Sequence, residues 1–166
     1  MGIFAAAAAL FGKGESQDTE QQSTAPRPAD STDSKATVLV IDDDPSFLDA
    51  MRMVLRGGGY NVLASSTGPK GLDMVRYAGR DIRAVLLDFN MPRFNGADTL
   101  QFLRKLNPDV KVLAVSGVRL DELPSEFRQQ TDRFLPKPFT NADLLKTLDE
   151  VLQSKSVAEL ATTAAA

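Results

Sequence analysis

The chain has 166 residues, a net charge of −3 and 43% hydrophobic residues, which is typical of one compact domain with short tails. This charge offers no basic face, so we expect no nucleic-acid partner. The absence of cysteine and histidine excludes a disulfide framework, an imidazole or thiolate zinc site, and a phosphohistidine on this chain. Chemistry must therefore use carboxylates, hydroxyls, lysines or a bound hard cation.

The N-terminal segment is Ala-rich, and five of its apolar residues recur with helical spacing. They are Ile3, Phe4, Ala7, Leu10 and Phe11. The segment is too short to span a bilayer and lacks the basic start of a signal peptide. A helix that docks on a membrane surface or a partner is one interpretation. We favour a frayed end, and hence no membrane contact and a cytoplasmic location.

Residues 12–36 are polar and rich in Ser, Thr, Gln, Asp and Pro. They cannot bury enough apolar surface to offset the entropy lost on ordering, so the sequence predicts a disordered linker. We therefore divide the chain into an N-terminal segment and linker over 1–36, a folded domain over 37–153 and a flexible tail over 154–166.

Strands and helices alternate through the folded domain. The predicted strands are Thr37–Ile41, Tyr60–Ala64, Ala84–Leu87, Val110–Val115 and Arg133–Leu135. The predicted helices are Pro45–Arg56, Pro69–Ala78, Ala97–Leu106, Leu120–Thr131 and Thr140–Leu152. The fourth helix is poor because Pro124 interrupts it. In the third, Leu100, Leu103 and Leu106 share one apolar side. This alternation predicts a parallel sheet with right-handed crossovers and helices on both faces.

Acidic residues close two of the predicted strands. Asp42, Asp43 and Asp44 follow the first strand, and Asp88 follows the third, where Pro92 prevents the strand from continuing. The carboxyl ends of parallel strands meet at one edge of the sheet, where open α/β folds bind ligands. Asp44 fits the N-cap of the first helix, whereas the other acids have no evident structural need. Close carboxylates repel each other and favour a divalent cation such as Mg²⁺.

Two more polar residues follow strands, Ser116 after the fourth and Lys137 after the fifth. The whole set resembles the response-regulator receiver domain, from Thr37 to about Gln153. The resemblance is carried by Val-Ile-Asp-Asp-Asp-Pro at 40–45, Leu-Leu-Asp-Phe-Asn-Met-Pro at 86–92 with Gly96, Ala-Val-Ser-Gly at 114–117 and Leu-Pro-Lys-Pro-Phe at 135–139. It implies a flavodoxin-like, doubly wound fold with strand order 2-1-3-4-5, the order known for this family.

The resemblance also implies a role for each residue of the set. Asp88 would accept a phosphoryl group, and Mg²⁺ would be bound directly by Asp43 and Asp88, by the carbonyl of Asn90, and by Asp42 through water. Ser116 and Lys137 would contact the phosphoryl oxygens. Phe134 occupies the position of a switch aromatic that changes rotamer with Ser116, although it fits equally well as an ordinary core residue.

The expected function is that of a stand-alone, chemotaxis-regulator-like phosphorylation switch whose output is a protein contact. Because the chain has no histidine, the phosphoryl donor must be external: a sensor histidine kinase, a phosphotransfer protein or a small acyl phosphate. The downstream protein target is not identified by the sequence. No enzymatic activity is expected beyond Mg²⁺-dependent phosphorylation and dephosphorylation of the chain itself.

Two alternatives remain open at this point. Asp42-x-Asp44, Ser116 and Lys137 imitate the motifs of a haloacid-dehalogenase-type Mg²⁺ phosphatase, but that interpretation gives Asp88 no role. A pseudo-receiver would be a docking scaffold that is never phosphorylated. All the expected site residues are present, which disfavours it.

Overall fold

A computed structural model describes residues 35–78, 81–92 and 94–155. The predicted N-terminal segment, the linker up to residue 34 and the tail after residue 155 lie outside these ranges. Five strands are β1 Thr37–Ile41, β2 Asn61–Ser65, β3 Ile82–Asp88, β4 Lys111–Ser116 and β5 Arg133–Pro136. Five α-helices are α1 Pro45–Gly57, α2 Gly68–Ala78, α3 Gly96–Leu106, α4 Ser125–Gln130 and α5 Asn141–Gln153. None of the described helices is long and apolar enough to cross a membrane.

The strands form one parallel sheet in the order β2-β1-β3-β4-β5, which confirms the predicted fold. Side chains alternate between the two faces because successive residues of a strand point in opposite directions. Leu39, Val85 and Leu87 pack on one face with residues of α2, α3 and α4. Val40 and Leu86 pack on the other face with residues of α1 and α5. Both faces are therefore covered, as expected for strands that are almost wholly apolar.

Local signals at the helix ends explain why the elements begin where predicted. The Asp44 side chain accepts a hydrogen bond from the Ser46 N–H at 2.8 Å, so Asp44 is the N-cap of α1. Thr140 and Asp143 form a capping box at the start of α5. The segment around Pro124 is broken as expected, into a 3-10 helix over Leu120–Glu122 and the six-residue α4.

Several predicted boundaries and one predicted burial differ from the structure. β2 and β4 begin and end one residue later than expected, and β3 extends to include Asp88 as its last residue. Leu106 is 40% exposed, although it lies on the predicted apolar side with Leu103, which is fully buried. Leu106 is the last residue of α3 and does not belong to the core cluster that Leu103 joins.

A buried ionic network fixes the loops at the opposite edge of the sheet from Asp88. The guanidinium of Arg104 donates to the carbonyls of Gln130 and Val110, each with a shortest distance of 2.6 Å, and to Asp132 at 2.9 Å. Lys111 Nζ lies 3.9 Å from the second oxygen of Asp132. These contacts hold the connections that enter β4 and β5, and thereby set where those strands begin.

The difference between Leu103 and Leu106 can be measured. Leu103→Ala should reduce the free energy of unfolding by about 2–5 kcal/mol, because it leaves a cavity in the core. Leu106→Ala should change it by no more than about 0.5 kcal/mol, as is usual at the surface. Chemical denaturation of the two variants tests this, and equal losses would place Leu106 in the core after all.

Candidate functional site

The site lies at the carboxyl edge of the sheet, where four strands deliver their last residues. The register pairs Ile41 with Leu87 and Asp88 with Val115, so Asp42 follows directly beside Asp88. Ser116 pairs with Pro136, which places Lys137 just beyond that edge. Parallel pairing, regular from Val38 to Ile41 between β1 and β3, thus brings together residues that are far apart in the sequence.

Lys137 joins the two carboxylates. Its Nζ donates to Asp42 Oδ2 at 2.7 Å and to Asp88 Oδ1 at 2.9 Å. The carboxylates are nearly inaccessible, with Asp42 2% and Asp88 5% exposed. The Lys137 side chain is 27% exposed. Buried ions interact strongly because water screens them little. Removal of one partner from such a group lowers the free energy of unfolding by about 3–5 kcal/mol.

Burial raises the pKa of Asp88, and the nearby charge of Asp42 raises it further, against the opposing effect of Lys137 and of the Asn90 backbone N–H. Burial alone would lower the pKa of Lys137, but its hydrogen bonds to Asp42 and Asp88 raise it above the ordinary value. The stability that Asp88 contributes is therefore present at low pH and lost as the pH rises through its raised pKa. Whenever Asp88 is ionised, it depends on a neighbouring cation.

The other predicted site residues do not belong to the ionic contacts of Asp42, Asp88 and Lys137. Asp43 is exposed. Ser116 is completely buried, and its Oγ accepts a hydrogen bond from the Val118 N–H at 3.1 Å. The Asn90 N–H faces the Asp88 carboxylate. Phe134 is half-buried and packs against the core beneath α3 and α4.

The residues present fit a magnesium ion by their chemistry. Mg²⁺ is usually bound by one or two carboxylates, with water and phosphate oxygens completing the shell. Asp42 and Asp88 supply two such carboxylates at one edge, and their mutual repulsion favours a cation between them. Within the three described ranges, no three acidic, histidine or cysteine side chains gather into a group that could hold a metal by themselves. The predicted ligand set with Asp43 therefore stays a prediction.

Two further residues lie near the site. The Phe47 ring centroid lies 4.0 Å from Lys137 Nζ. Gly96 belongs to the motif that follows β3, and a Cβ there would lie 2.4 Å from the carbonyl oxygen of Asp88. The sequence has no local signal for the Phe47 contact, because it depends on how α1 packs beside the loop after β5.

The sequence of residues 38–149 matches the family model of the response regulator receiver domain. The chain belongs to the receiver-domain family. Receiver domains are generally regulatory units rather than classical enzymes. They interact with histidine kinases or phosphotransfer proteins. Phosphorylation and Mg²⁺ are typical of the family.

Individual relatives agree with this assignment. The sensor kinase CckA of Brucella abortus is 34% identical over 128 residues, a match that covers 72% of this chain and 13% of that protein. The transcriptional regulatory protein CpxR of Escherichia coli is 32% identical, with coverage of 70% and 49%. The chain thus spans about half or less of the length of these curated relatives.

Solved structures give the same fold. A response regulator receiver domain protein from Clostridium thermocellum has a TM-score of 0.66 and 28% identity, and the match covers 70% of this receiver chain and 94% of that one. A CheY-like receiver domain protein from Methanospirillum hungatei has a TM-score of 0.64 and 29% identity, with coverage of 70% and 93%.

The geometry also weakens the phosphatase alternative. That interpretation needs the carboxylates of Asp42 and Asp44 together, but Asp44 is exposed and caps α1. The buried partner of Asp42 is instead Asp88, through Lys137. This pairing differs from the arrangement that a phosphatase of that type would need.

The charge coupling predicts a change in the pKa of Asp88. Asp42→Asn should lower it, since a negative neighbour that raises it is removed and Lys137 is left to pair with Asp88 alone. Lys137→Met should raise it, because the opposing cation is lost. The carboxyl ¹³C shift of Asp88, followed against pH in metal-free buffer, measures the change. Asp44→Asn is the matched control and should leave the titration as it is. A higher pKa in Asp42→Asn would contradict the coupling.

Proposed function

We propose that this chain acts in the cytoplasm as a response-regulator receiver that accepts a phosphoryl group on Asp88 and thereby switches a contact with a protein partner. The observation that carries the proposal is the pair of buried carboxylates bridged by Lys137 at the sheet edge. A buried carboxylate with a partly exposed cation beside it suits phosphoryl transfer, which needs positioning and charge neutralisation more than covalent assistance.

The transfer step follows from the chemistry of these groups. An oxygen of Asp88 attacks phosphorus, and the bond from phosphorus to the donor breaks. With a phosphohistidine donor, the electron pair stays on the imidazole nitrogen, which takes a proton from water. The donor is external because the chain has no histidine: a sensor kinase, a phosphotransfer protein or a small acyl phosphate. The product is an acyl phosphate on Asp88.

Asp42, Asp43, Asp88 and the Asn90 carbonyl would hold Mg²⁺ in this proposal. When bound, the ion supplies charge neutralisation for the phosphoryl oxygens. Lys137 exchanges its hydrogen bond to Asp88 for one to a phosphoryl oxygen while it keeps Asp42. The Ser116 hydroxyl accepts from the Val118 N–H, so its own proton is available to donate to a phosphoryl oxygen. Phe134 would then repack as Ser116 moves.

Besides the movement of Ser116 and Phe134, a change at Asp88 can reach the surface through Phe89, the residue that follows it. Its N–H donates to the Val115 carbonyl at 3.3 Å, and its carbonyl accepts from the Gly96 N–H at 3.0 Å. Its ring contacts that of Phe127 edge-on, with 5.0 Å between centroids. Phe127 is the buried residue of the short helix α4. A backbone shift at Asp88 would therefore act on α4 through this aromatic pair.

Asp88→Asn tests the acceptor. The wild-type chain should be labelled by acetyl phosphate and Mg²⁺, and Asp88→Asn should not, because the amide is not a nucleophile for phosphorus. Asp44→Ala is the control and should be labelled normally, since Asp44 only caps α1. Phos-tag electrophoresis reads the result, and chelation of Mg²⁺ should abolish the band.

Persistent labelling of Asp88→Asn would refute the proposed acceptor. Turnover of a chromogenic phosphomonoester that depends on Asp44 would instead support the phosphatase. If Mg²⁺ with beryllium fluoride, a phosphoryl mimic, fails to bind the wild-type chain, the pseudo-receiver is correct.

Phe127→Leu tests the route through α4. Beryllium fluoride and Mg²⁺ should shift the backbone amide NMR signals of residues 125–130 in the wild-type chain, and clearly less in the variant, because the ring contact with Phe89 is lost. Signals near Asp88 should respond equally in the two. Phe102→Leu, at a 45% exposed aromatic on α3, is the control. An undiminished α4 response in Phe127→Leu would exclude the aromatic pair as the link.

A further inference from the structure

We propose that Phe47 is a positioning residue of this site, which holds the Lys137 ammonium against Asp42 and Asp88 with the face of its ring. The inference deepens the proposed phosphoryl-transfer function and rests on it for its kinetic consequence. The first observation is distance: Lys137 Nζ lies 4.0 Å from the Phe47 centroid while it donates to the two carboxylates at 2.7 and 2.9 Å. A cation this close to a ring centre is attracted by the negative face of the ring.

The ring is held in place by its surroundings. Phe47 lies in the first turn of α1, where it is half-buried and packs against the core beneath α1 and α5. Phe139 meets it edge-on, with 6.1 Å between centroids and an interplanar angle of 84°. Because Phe139 follows Lys137 by two residues, this ring contact joins the loop that carries the lysine to α1.

The arrangement gives the ammonium a defined position. Lysine is a flexible side chain with a strongly hydrated head, so an exposed lysine samples many positions. Here two N–H groups are used by Asp42 and Asp88, and the ring covers part of the remainder. The ring excludes water from that side and so strengthens the ionic contacts.

This position matters most when the charge on Asp88 changes. Once Asp88 carries a phosphoryl group, Lys137 must move to a phosphoryl oxygen while it stays near Asp42. A ring face attracts a cation without fixing one hydrogen-bond geometry, so it permits this short displacement and opposes escape to solvent. Phe47 touches neither the substrate nor the reacting atoms, and it acts only through Lys137.

The variants would behave differently if Phe47 were only a core residue. In that case Phe47→Leu, which keeps an apolar side chain of similar size, would change stability alone. In the positioning role, Phe47→Leu removes the ring under the ammonium, and Phe47→Tyr restores it. Phe139→Leu is the matched control, because it removes the neighbouring ring but leaves the one that contacts Lys137.

The direct test is the NMR signal of the Lys137 εCH₂ protons in the full chain without any phosphoryl donor. A ring face shields a group above it, so we expect these protons upfield of those of the other lysines. The shift should disappear in Phe47→Leu and persist in Phe47→Tyr and Phe139→Leu. An ordinary εCH₂ shift in the wild-type chain would overturn the inference without any variant, and so the test does not depend on whether Phe47→Leu folds.

The kinetic test measures the rate of Asp88 labelling by acetyl phosphate at saturating Mg²⁺. Phe47→Leu should lower the rate by about three- to thirtyfold, the range of a partly desolvated cation–π contact, and Phe47→Tyr should restore it. An unchanged rate in Phe47→Leu would remove the positioning role. If the wild-type chain is not labelled at all, the proposed function fails, while the NMR result still decides whether Phe47 holds Lys137.

Discussion

The ammonium of Lys137 lies between the buried carboxylates of Asp42 and Asp88, and the chemistry of the site depends on this bridge. Two carboxylates that are almost inaccessible to water repel each other, and burial already raises the pKa of Asp88. One lysine neutralises only one of the two charges. The site therefore keeps an unbalanced negative charge, which favours a further cation and a reaction that redistributes charge at Asp88.

The two edges of the sheet use buried ions differently. At the opposite edge, Arg104 and Lys111 surround the single carboxylate of Asp132, so cations outnumber the anion. The Arg104 guanidinium also binds backbone carbonyls, which fixes the loops before β4 and β5. That network has a structural role, whereas the carboxyl edge has too few cations for its acids. The structural ionic network and the candidate site thus lie at opposite edges of the same sheet.

Much of the fold could be predicted because its signals are local. Asp44 before Pro45 marks the start of α1, and the structure confirms this cap. Thr140 and Asp143 mark the start of α5 in the same way, through contacts within one turn. Strand positions agreed to within one or two residues, since short apolar runs define strands that are covered on both faces. Burial was less predictable: Leu106 has the spacing of a core residue and is nevertheless 40% exposed, because burial at a helix end depends on what packs beside it.

The sequence by itself determined which residues could take part in the chemistry. The absence of histidine and cysteine left carboxylates, a hydroxyl and a lysine, and the strand ends placed Asp42, Asp88, Ser116 and Lys137 at one edge. Only the tertiary structure decided that Lys137 bridges two acids and that Phe47 lies against its ammonium. The physical reason is range: strand and cap signals act over a few residues, whereas these contacts exist only after β1, β3, β5 and α1 have packed together.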